Sequence, residues 1–284
     1  MNQAPPKFVL LAVAVILIPG CTDKTVSTNS KTPAANDPSK SIAFLQQRGA
    51  EIHRDHQLPE GPVIEVDFLY TQAQDDDLRY LRNINTLKTV VLSFGNITDD
   101  GLTHLSQLPN LENLVLYGTN VGDDGVRQLQ GLSRLSKLNL AETKITDKGL
   151  VFLIPLSNLR KLSLYGTQIS DSAANQLHTF SKLETLSVGN TQIGDVFVAN
   201  LSKLYRLTAL DLNLTNVTDE GVEYLRSRRQ LKELHLQGTK ITDSGINYLK
   251  GLSKLTRLNL TDTSVSDSKI DELQQALPNC RIDR

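Results

Sequence analysis

An aspartate returns every 24 residues along most of the 284-residue chain. The series consists of Asp75, Asp99, Asp123, Asp147, Asp171, Asp195, Asp219, Asp243 and Asp267. The residues around it return with the same period, as in LENLVLYGTNVGDDGVRQLQGLSR (111–134) and LKELHLQGTKITDSGINYLKGLSK (231–254). A fixed period of this length predicts a solenoid, in which each unit buries its apolar face only against its neighbours.

Each unit begins with a strand pattern and ends with a helix pattern. Counted from Val63, nine repeats of 24 residues extend to residue 278. Positions 4 and 6 of the repeat are apolar between polar residues, which predicts a short half-buried strand. Position 9 is threonine in eight of the nine repeats, and its hydroxyl can satisfy backbone groups in a buried turn. Apolar residues at positions 16, 19 and usually 22 predict a helix of about three turns.

The residue before each recurring aspartate indicates where the helix starts. Position 12 is serine or threonine in six repeats, and these are preferred helix N-caps. They are Thr98, Thr146, Ser170, Thr218, Thr242 and Ser266. The aspartate then falls in the first helical turn, where the helix dipole stabilises a carboxylate. Calcium would need several oxygens converging on one site, so we interpret the aspartates as structural and predict no metal or cofactor.

The phrase LxxLxLxxTxITDxGLxxLxxL resembles the leucine-rich repeat family, closest to its ribonuclease-inhibitor-like and cysteine-containing subclass. Threonine here replaces the Cys or Asn that this subclass often has at position 9. The resemblance covers residues 63–284 and implies an α/β solenoid with a parallel sheet on its concave face and short helices on its convex face. Packed strands lie ~4.8 Å apart and packed helices 8–10 Å apart, so the stack is expected to curve with its strands inside.

Both ends of the array need caps, because terminal repeats would otherwise expose core residues. Residues 41–62 are predicted to form the N-terminal cap, with a short helix ended by Gly49 and a strand in the sequence AEIHRD. Residues 279–284 are predicted to form a C-terminal cap strand.

The N-terminus predicts export. An apolar run, FVLLAVAVILI (8–18), is too short for a bilayer span of ~20 residues and is typical of a signal peptide. It leads into Ile-Pro-Gly-Cys (18–21), which resembles the lipobox of bacterial lipoproteins. That resemblance implies a signal peptide over 1–20 and lipidation of Cys21. A plain secretory signal or a short uncleaved anchor are the alternatives.

Residues 22–40 are polar and lack an apolar period, so residues 21–40 are predicted to be a flexible tether behind the lipidated cysteine. The expected location is the cell envelope, with the protein anchored in a membrane by lipid and facing the periplasm or the cell exterior.

Composition and motifs argue against catalysis and against nucleic acid. The net charge of −1 leaves no basic footprint for a nucleic acid. The five histidines have no ligand spacing, and no phosphate loop, nucleophile elbow or paired-cysteine motif occurs. The sequence therefore predicts no enzyme and no cofactor.

Outward-facing strand residues form the candidate interaction surface. In the N-terminal half they include apolar and aromatic side chains, which on one surface indicate an interface. The predicted partner-binding residues are Leu69, Tyr70, Val91, Phe94, Val115, Tyr117 and Tyr165. The alternative is packing, in which Tyr117 and Tyr165 cover the gap left by the glycine that follows each of them.

We predict a scaffold that binds a protein or another macromolecule on its concave face. One alternative is a passive structural component of the envelope. A second comes from the subclass, some members of which are substrate-recruiting adaptors of ubiquitin ligases, but the chain has no F-box-like module and its export signal argues against that role.

Overall fold

The computed structural model of the chain describes residues 37–57, 61–69, 71 and 73–284. The predicted signal peptide, Cys21, most of the predicted tether and Tyr70 lie outside the described residues. Within the described part of the chain, no helix is long and apolar enough to cross a membrane.

Eleven described strands form one sheet in chain order, with β1 antiparallel to β2 and all later neighbours parallel. The strands are β1 (Glu51–Arg54), β2 (Val63–Asp67), β3 (Thr89–Val91), β4 (Asn113–Val115), β5 (Lys137–Asn139), β6 (Lys161–Ser163), β7 (Thr185–Ser187), β8 (Ala209–Asp211), β9 (Glu233–His235), β10 (Arg257–Asn259) and β11 (Arg281–Asp283). Equivalent positions of successive repeats pair with each other, as Leu114 pairs with Leu138. This confirms the predicted solenoid of parallel strands.

Short helices form the opposite layer. The α-helices are α1 (Pro38–Gln47), α2 (Asp99–Leu102), α3 (Asp123–Arg127), α4 (Asp147–Leu153), α5 (Ala174–Leu177), α6 (Asp195–Ala199), α7 (Asp219–Leu225), α8 (Asp243–Leu249) and α9 (Asp267–Ala276). 3₁₀ segments occupy Asp75–Asn83, Leu105–Gln107, Gln128–Gly131, Asp171–Ala173 and Asn200–Lys203. In most repeats the helix is therefore shorter than the three turns predicted, because the chain must return to the next strand within 24 residues.

The N-terminal helix starts earlier than the sequence pattern indicated. Helix α1 begins at Pro38, inside the segment predicted to be tether. Asp37 caps it by accepting hydrogen bonds from the backbone N–H groups of Ser39 and Lys40. Proline suits the first helical position because its missing N–H would be unpaired there anyway. Gly49 follows the helix at φ +91°, and β1 then pairs with β2.

The inward side chains form one continuous aliphatic core between the two layers. The turns around it are closed by the position-9 threonines, each of which donates its hydroxyl to the carbonyl three residues earlier. These threonines are Thr71, Thr119, Thr143, Thr167, Thr191, Thr215, Thr239 and Thr263. The six predicted N-caps likewise accept bonds from the first helical turn, which confirms both assignments.

The recurring aspartates join neighbouring repeats. Asp123, for example, accepts hydrogen bonds from the N–H and the hydroxyl of Thr146 in the next repeat, at 2.9 and 2.6 Å. Asp75, Asp99, Asp147, Asp171, Asp195, Asp219 and Asp243 make the equivalent bond to the position-12 N–H of the next repeat. The carboxylate therefore acts across the repeat boundary as well as at its own helix start.

The first repeat has no predecessor to supply this carboxylate, and Asp77 takes its place. Asp77 is buried and accepts the N–H of Gln74, the position-12 residue of its own repeat, at 2.9 Å. Arg48, just after α1, forms an ion pair with the Asp77 carboxylate at 3.0 Å. At the N-terminal end of the array, the Arg48–Asp77 ion pair thus supplies the carboxylate that hydrogen-bonds the position-12 N–H.

Candidate interaction surface

The solvent side of the sheet carries three rows of side chains, from positions 3, 5 and 7 of each repeat. Strand alternation directs these side chains away from the core, and position 8 continues the surface at the carboxyl end of each strand. We call this surface the concave face. Among the described residues, no group of three or more His, Cys, Asp or Glu could hold a metal ion.

Aromatic side chains lie in the N-terminal half and the middle of the concave face. The rings of Phe94 and Tyr117 meet edge to face, with centroids 4.7 Å apart. Phe94 is 43% exposed, whereas Tyr117 and Tyr165 are half-buried. Burial raises the pKa of the Tyr165 hydroxyl, and the charges of Asp211 and Glu142 act in the same direction.

The aliphatic members of the predicted surface are less accessible. Leu69 and Val91 are half-buried, and Tyr70 lies outside the described residues. The prediction that Val115 is exposed is wrong, since its side chain is only 2% accessible. Its register partners Val91 and Asn139 stand on the two neighbouring strands, and a strand spacing of ~4.8 Å lets such side chains shield each other.

Residues at position 8 of the repeat have a left-handed backbone conformation, which the sequence pattern did not predict. Five non-glycine residues have φ between 52° and 58° there, namely Phe94, Glu142, Asn190, Leu214 and Asp262. Such a conformation is uncommon for a bulky residue. Gly118, Gly166 and Gly238 occupy the same position with φ of 65–67°. The alternation of glycine with larger residues at position 8 was the available signal.

The glycines at position 8 are covered by the preceding repeat. A Cβ atom on Gly118 would lie 2.9 Å from the Phe94 ring, and one on Gly238 would lie 2.6 Å from Leu214. The packing alternative, in which Tyr117 covers the gap at Gly118, is therefore wrong for this residue, because the Phe94 ring covers that gap. Phe94 and Leu214 nevertheless remain 43% and 49% exposed.

The middle of the concave face contains a depression that is open to solvent. Lys137 and Lys161 stand on neighbouring strands at its rim, while Asn139, Ser163 and Ser187 contribute polar groups. We call these five residues the lysine cradle. Both lysines are exposed, and Val115 lies beside them in the lining.

The C-terminal half of the concave face is polar and internally bonded. Ser187 donates to the buried carboxyl of Asp211 at 2.7 Å, and the Asn213 N–H donates to the same group at 3.0 Å. Burial raises the pKa of Asp211. Asn213 in turn accepts the Gln237 N–H at 2.8 Å, and the Asn259 amide donates to Gln237 at 3.3 Å. These polar side chains satisfy one another, so their sequence positions alone do not make them ligand contacts.

Comparison with known proteins identifies relatives of this architecture. A family model described as Leucine Rich repeat matches residues 83–106, 134–153, 207–225 and 229–249. Internalin C2 from Listeria monocytogenes is 30% identical with a TM-score of 0.58, over 70% of this chain and 81% of that chain. No curated protein matches the sequence.

Two more distant structures share the fold alone. An internalin, inlF, from Listeria monocytogenes is 20% identical, with a TM-score of 0.50 over 72% of this chain and 69% of that chain. The leucine-rich repeat ectodomain of the membrane receptor kinase GASSHO1/SCHENGEN3 from Arabidopsis thaliana is 18% identical. Its TM-score is 0.52, over 79% of this chain and 30% of that chain.

Proposed function

The chain belongs to the leucine-rich repeat family, and we propose that it is a non-catalytic scaffold that binds a protein partner on its concave face. Leucine-rich repeat solenoids offer extended concave surfaces for binding. We also propose that the protein is exported and held at a membrane by acyl chains on Cys21, so that the scaffold works in the cell envelope. The export motifs of residues 1–21 support this part of the proposal.

Phe94 carries the argument for the binding surface. Its ring is 43% exposed and its backbone is left-handed, at φ 58°. The same left-handed backbone occurs at position 8 of seven other repeats, so it is a property of the repeat, and the exposed aromatic ring of Phe94 carries the argument. Contact of its ring with Tyr117 presents two aromatic side chains side by side. Aromatic side chains that offer large area at low entropy cost are frequent interface anchors.

The test is photo-cross-linking in the native cell from p-benzoylphenylalanine at position 94. The matched control carries the same group at Tyr205, which is 73% exposed and lies outside the concave face. We expect a discrete protein adduct from position 94 and none of the same protein from position 205. Absence of an adduct from position 94 would favour the passive structural component instead.

The adduct protein is then titrated against purified variants. Phe94→Ser with Tyr117→Ser should weaken binding by about tenfold or more, as expected for truncated anchor residues. Tyr205→Ser with Tyr224→Ser, a pair of exposed tyrosines elsewhere, should bind as the parent does. Equal affinity of the two variant pairs would refute the placement of the site. Val115 is unsuitable for this purpose, because an acidic residue there would be buried.

A further inference from the structure

Lys137 and Lys161 place two like charges side by side on the concave face. They are register partners on β5 and β6, so their backbones lie one strand spacing apart, ~4.8 Å. Like charges directly opposite each other on neighbouring strands destabilise a sheet. Both side chains are exposed, so their position is not explained by packing in the core.

No anion within the described part of the chain neutralises this pair, since neither ammonium group has an ion pair or a side-chain hydrogen bond there. The equivalent residues on the flanking strands are uncharged, Asn113 on β4 and Thr185 on β7. Two carboxylates of the neighbouring repeats already have partners. Glu184 is paired with Arg160, and Asp211 accepts from Ser187 and Asn213.

The shape of the lysine cradle indicates what would fit. The four-carbon stems of Lys137 and Lys161 border the depression together with Val115, while an ammonium group stays toward solvent at the end of each stem. Asn139 and Ser163, two residues after the lysines on the same strands, add an amide and a hydroxyl to the lining. A side chain with a short apolar stem and a terminal carboxylate is complementary to this combination. The two ammonium groups lie one strand spacing apart, so two acidic side chains of one extended peptide segment could each reach one of them.

We propose that the lysine cradle binds an acidic peptide segment of the partner protein, with Asp or Glu carboxylates over Lys137 and Lys161. This inference rests on the proposed scaffold function and adds the chemical class of the segment recognised. Charge complementarity selects this occupant. Among the described residues at positions 3, 5 and 7 of β4–β7, Lys137 and Lys161 are the charged ones, and their positive charge has no partner in the sheet.

The probe is a fluorescein-labelled peptide of alternating Glu and Ala, titrated into the full chain by fluorescence anisotropy. We expect saturable binding that weakens when salt is raised from about 50 to about 300 mM, since exposed charges are screened over that range. The same peptide with Gln in place of Glu should not bind. Absence of saturable binding of the Glu peptide would overturn the proposal.

The variants locate the effect. Lys137→Gln with Lys161→Gln should weaken binding of the Glu peptide by about tenfold or more. The control, Lys148→Gln with Lys203→Gln, removes the same charge from two exposed lysines outside the concave face and should bind as the parent does. Equal loss in both variants would overturn the proposal, because only net charge would then matter.

Two further measurements distinguish a failure of the acidic-segment inference from a failure of the scaffold function. Relief of the like-charge pair should leave the melting temperature of the Lys137→Gln, Lys161→Gln variant at or above that of the parent. If position 94 cross-links a partner whose affinity is unchanged in this variant, the acidic-segment inference fails while the scaffold function stands. If that partner binds this variant at least about tenfold more weakly, the inference is supported directly.

Discussion

The bond between neighbouring repeats can be tested at Asp123 and Gly149. The Asp123 carboxylate accepts two hydrogen bonds from Thr146, and a Cβ atom on Gly149 would lie only 2.4 Å from one of its oxygens. Gly149 therefore provides the space that the carboxylate occupies. The same relation links Gly101 to Asp75 and Gly245 to Asp219. The perturbation is a double-mutant cycle of Asp123→Ala and Gly149→Ala.

The expected magnitudes follow from these contacts. Hydrogen bonds to a charged group contribute about 1.5–3 kcal/mol each, so Asp123→Ala should cost about 3–5 kcal/mol. Gly149→Ala gains about 1 kcal/mol of helix propensity but displaces the carboxylate, for a net loss of about 2–4 kcal/mol. In the double variant the carboxylate is absent, so Gly149→Ala contributes only its gain in helix propensity. The total loss of unfolding free energy relative to the parent should then be about 2–4 kcal/mol. The two substitutions should therefore couple by about 3–5 kcal/mol.

The assay is urea unfolding followed by circular dichroism, with the midpoint and the slope m fitted for all four chains. An unchanged m would show that the array still unfolds cooperatively, which repeat proteins do not always do. If the two losses simply add, Gly149 does not serve the carboxylate and the reasoning is refuted. A loss for Asp123→Ala of only about 0.5–1 kcal/mol would mean that the aspartate acts through the helix dipole alone.

Three other predictions concern single residues. Burial lowers the pKa of His235 from 6.5 to about 4. The unfolded chain thus binds more protons between these values, and unfolding free energy should fall by up to about 3 kcal/mol as the pH drops from 6.5 to 4. Urea midpoints across this range should show a shallower slope for His235→Gln, and an identical slope would contradict the assignment. Burial also raises the pKa of Cys280 to about 11, so its thiol should react with a disulfide reagent much faster in urea than in buffer. The assay uses the Cys21→Ala chain, in which rapid labelling of the folded protein would show that the thiol is accessible. The same Cys21→Ala substitution in cells should abolish fatty-acid labelling and membrane retention, whereas a parent chain without label would leave simple secretion or an uncleaved anchor.

The candidate surface was predicted in part from strand alternation. Alternation correctly separates Leu116, which is buried in the core, from Tyr117 on the concave face. It does not give accessibility, because a side chain on that face can still be shielded by register partners, as Val115 is. The exposure of Phe94 depends on the left-handed backbone at position 8. The alternating pattern assigns no such conformation to a phenylalanine.

The polar half of the concave face shows the same limit. Asp211, Asn213 and Asn259 look like free polar groups when strands are considered one at a time. Their partners lie in the same repeat and in adjacent repeats, and the bonds depend on the side-chain conformations on both strands.

Taken by itself, the sequence determined the period, the parallel sheet, the core positions, the position-9 threonines and the helix N-caps. Each of these depends on contacts that lie within one unit or recur identically between units, so a pattern repeated nine times specifies them. The tertiary structure alone decided the bonds from the recurring aspartates up to Asp243 to the following repeats, the space at Gly149, the Arg48–Asp77 pair that ends the array and the uncompensated Lys137–Lys161 pair. These features arise from the distance and rotation between stacked units, which set the atoms that meet, and a linear pattern contains neither quantity.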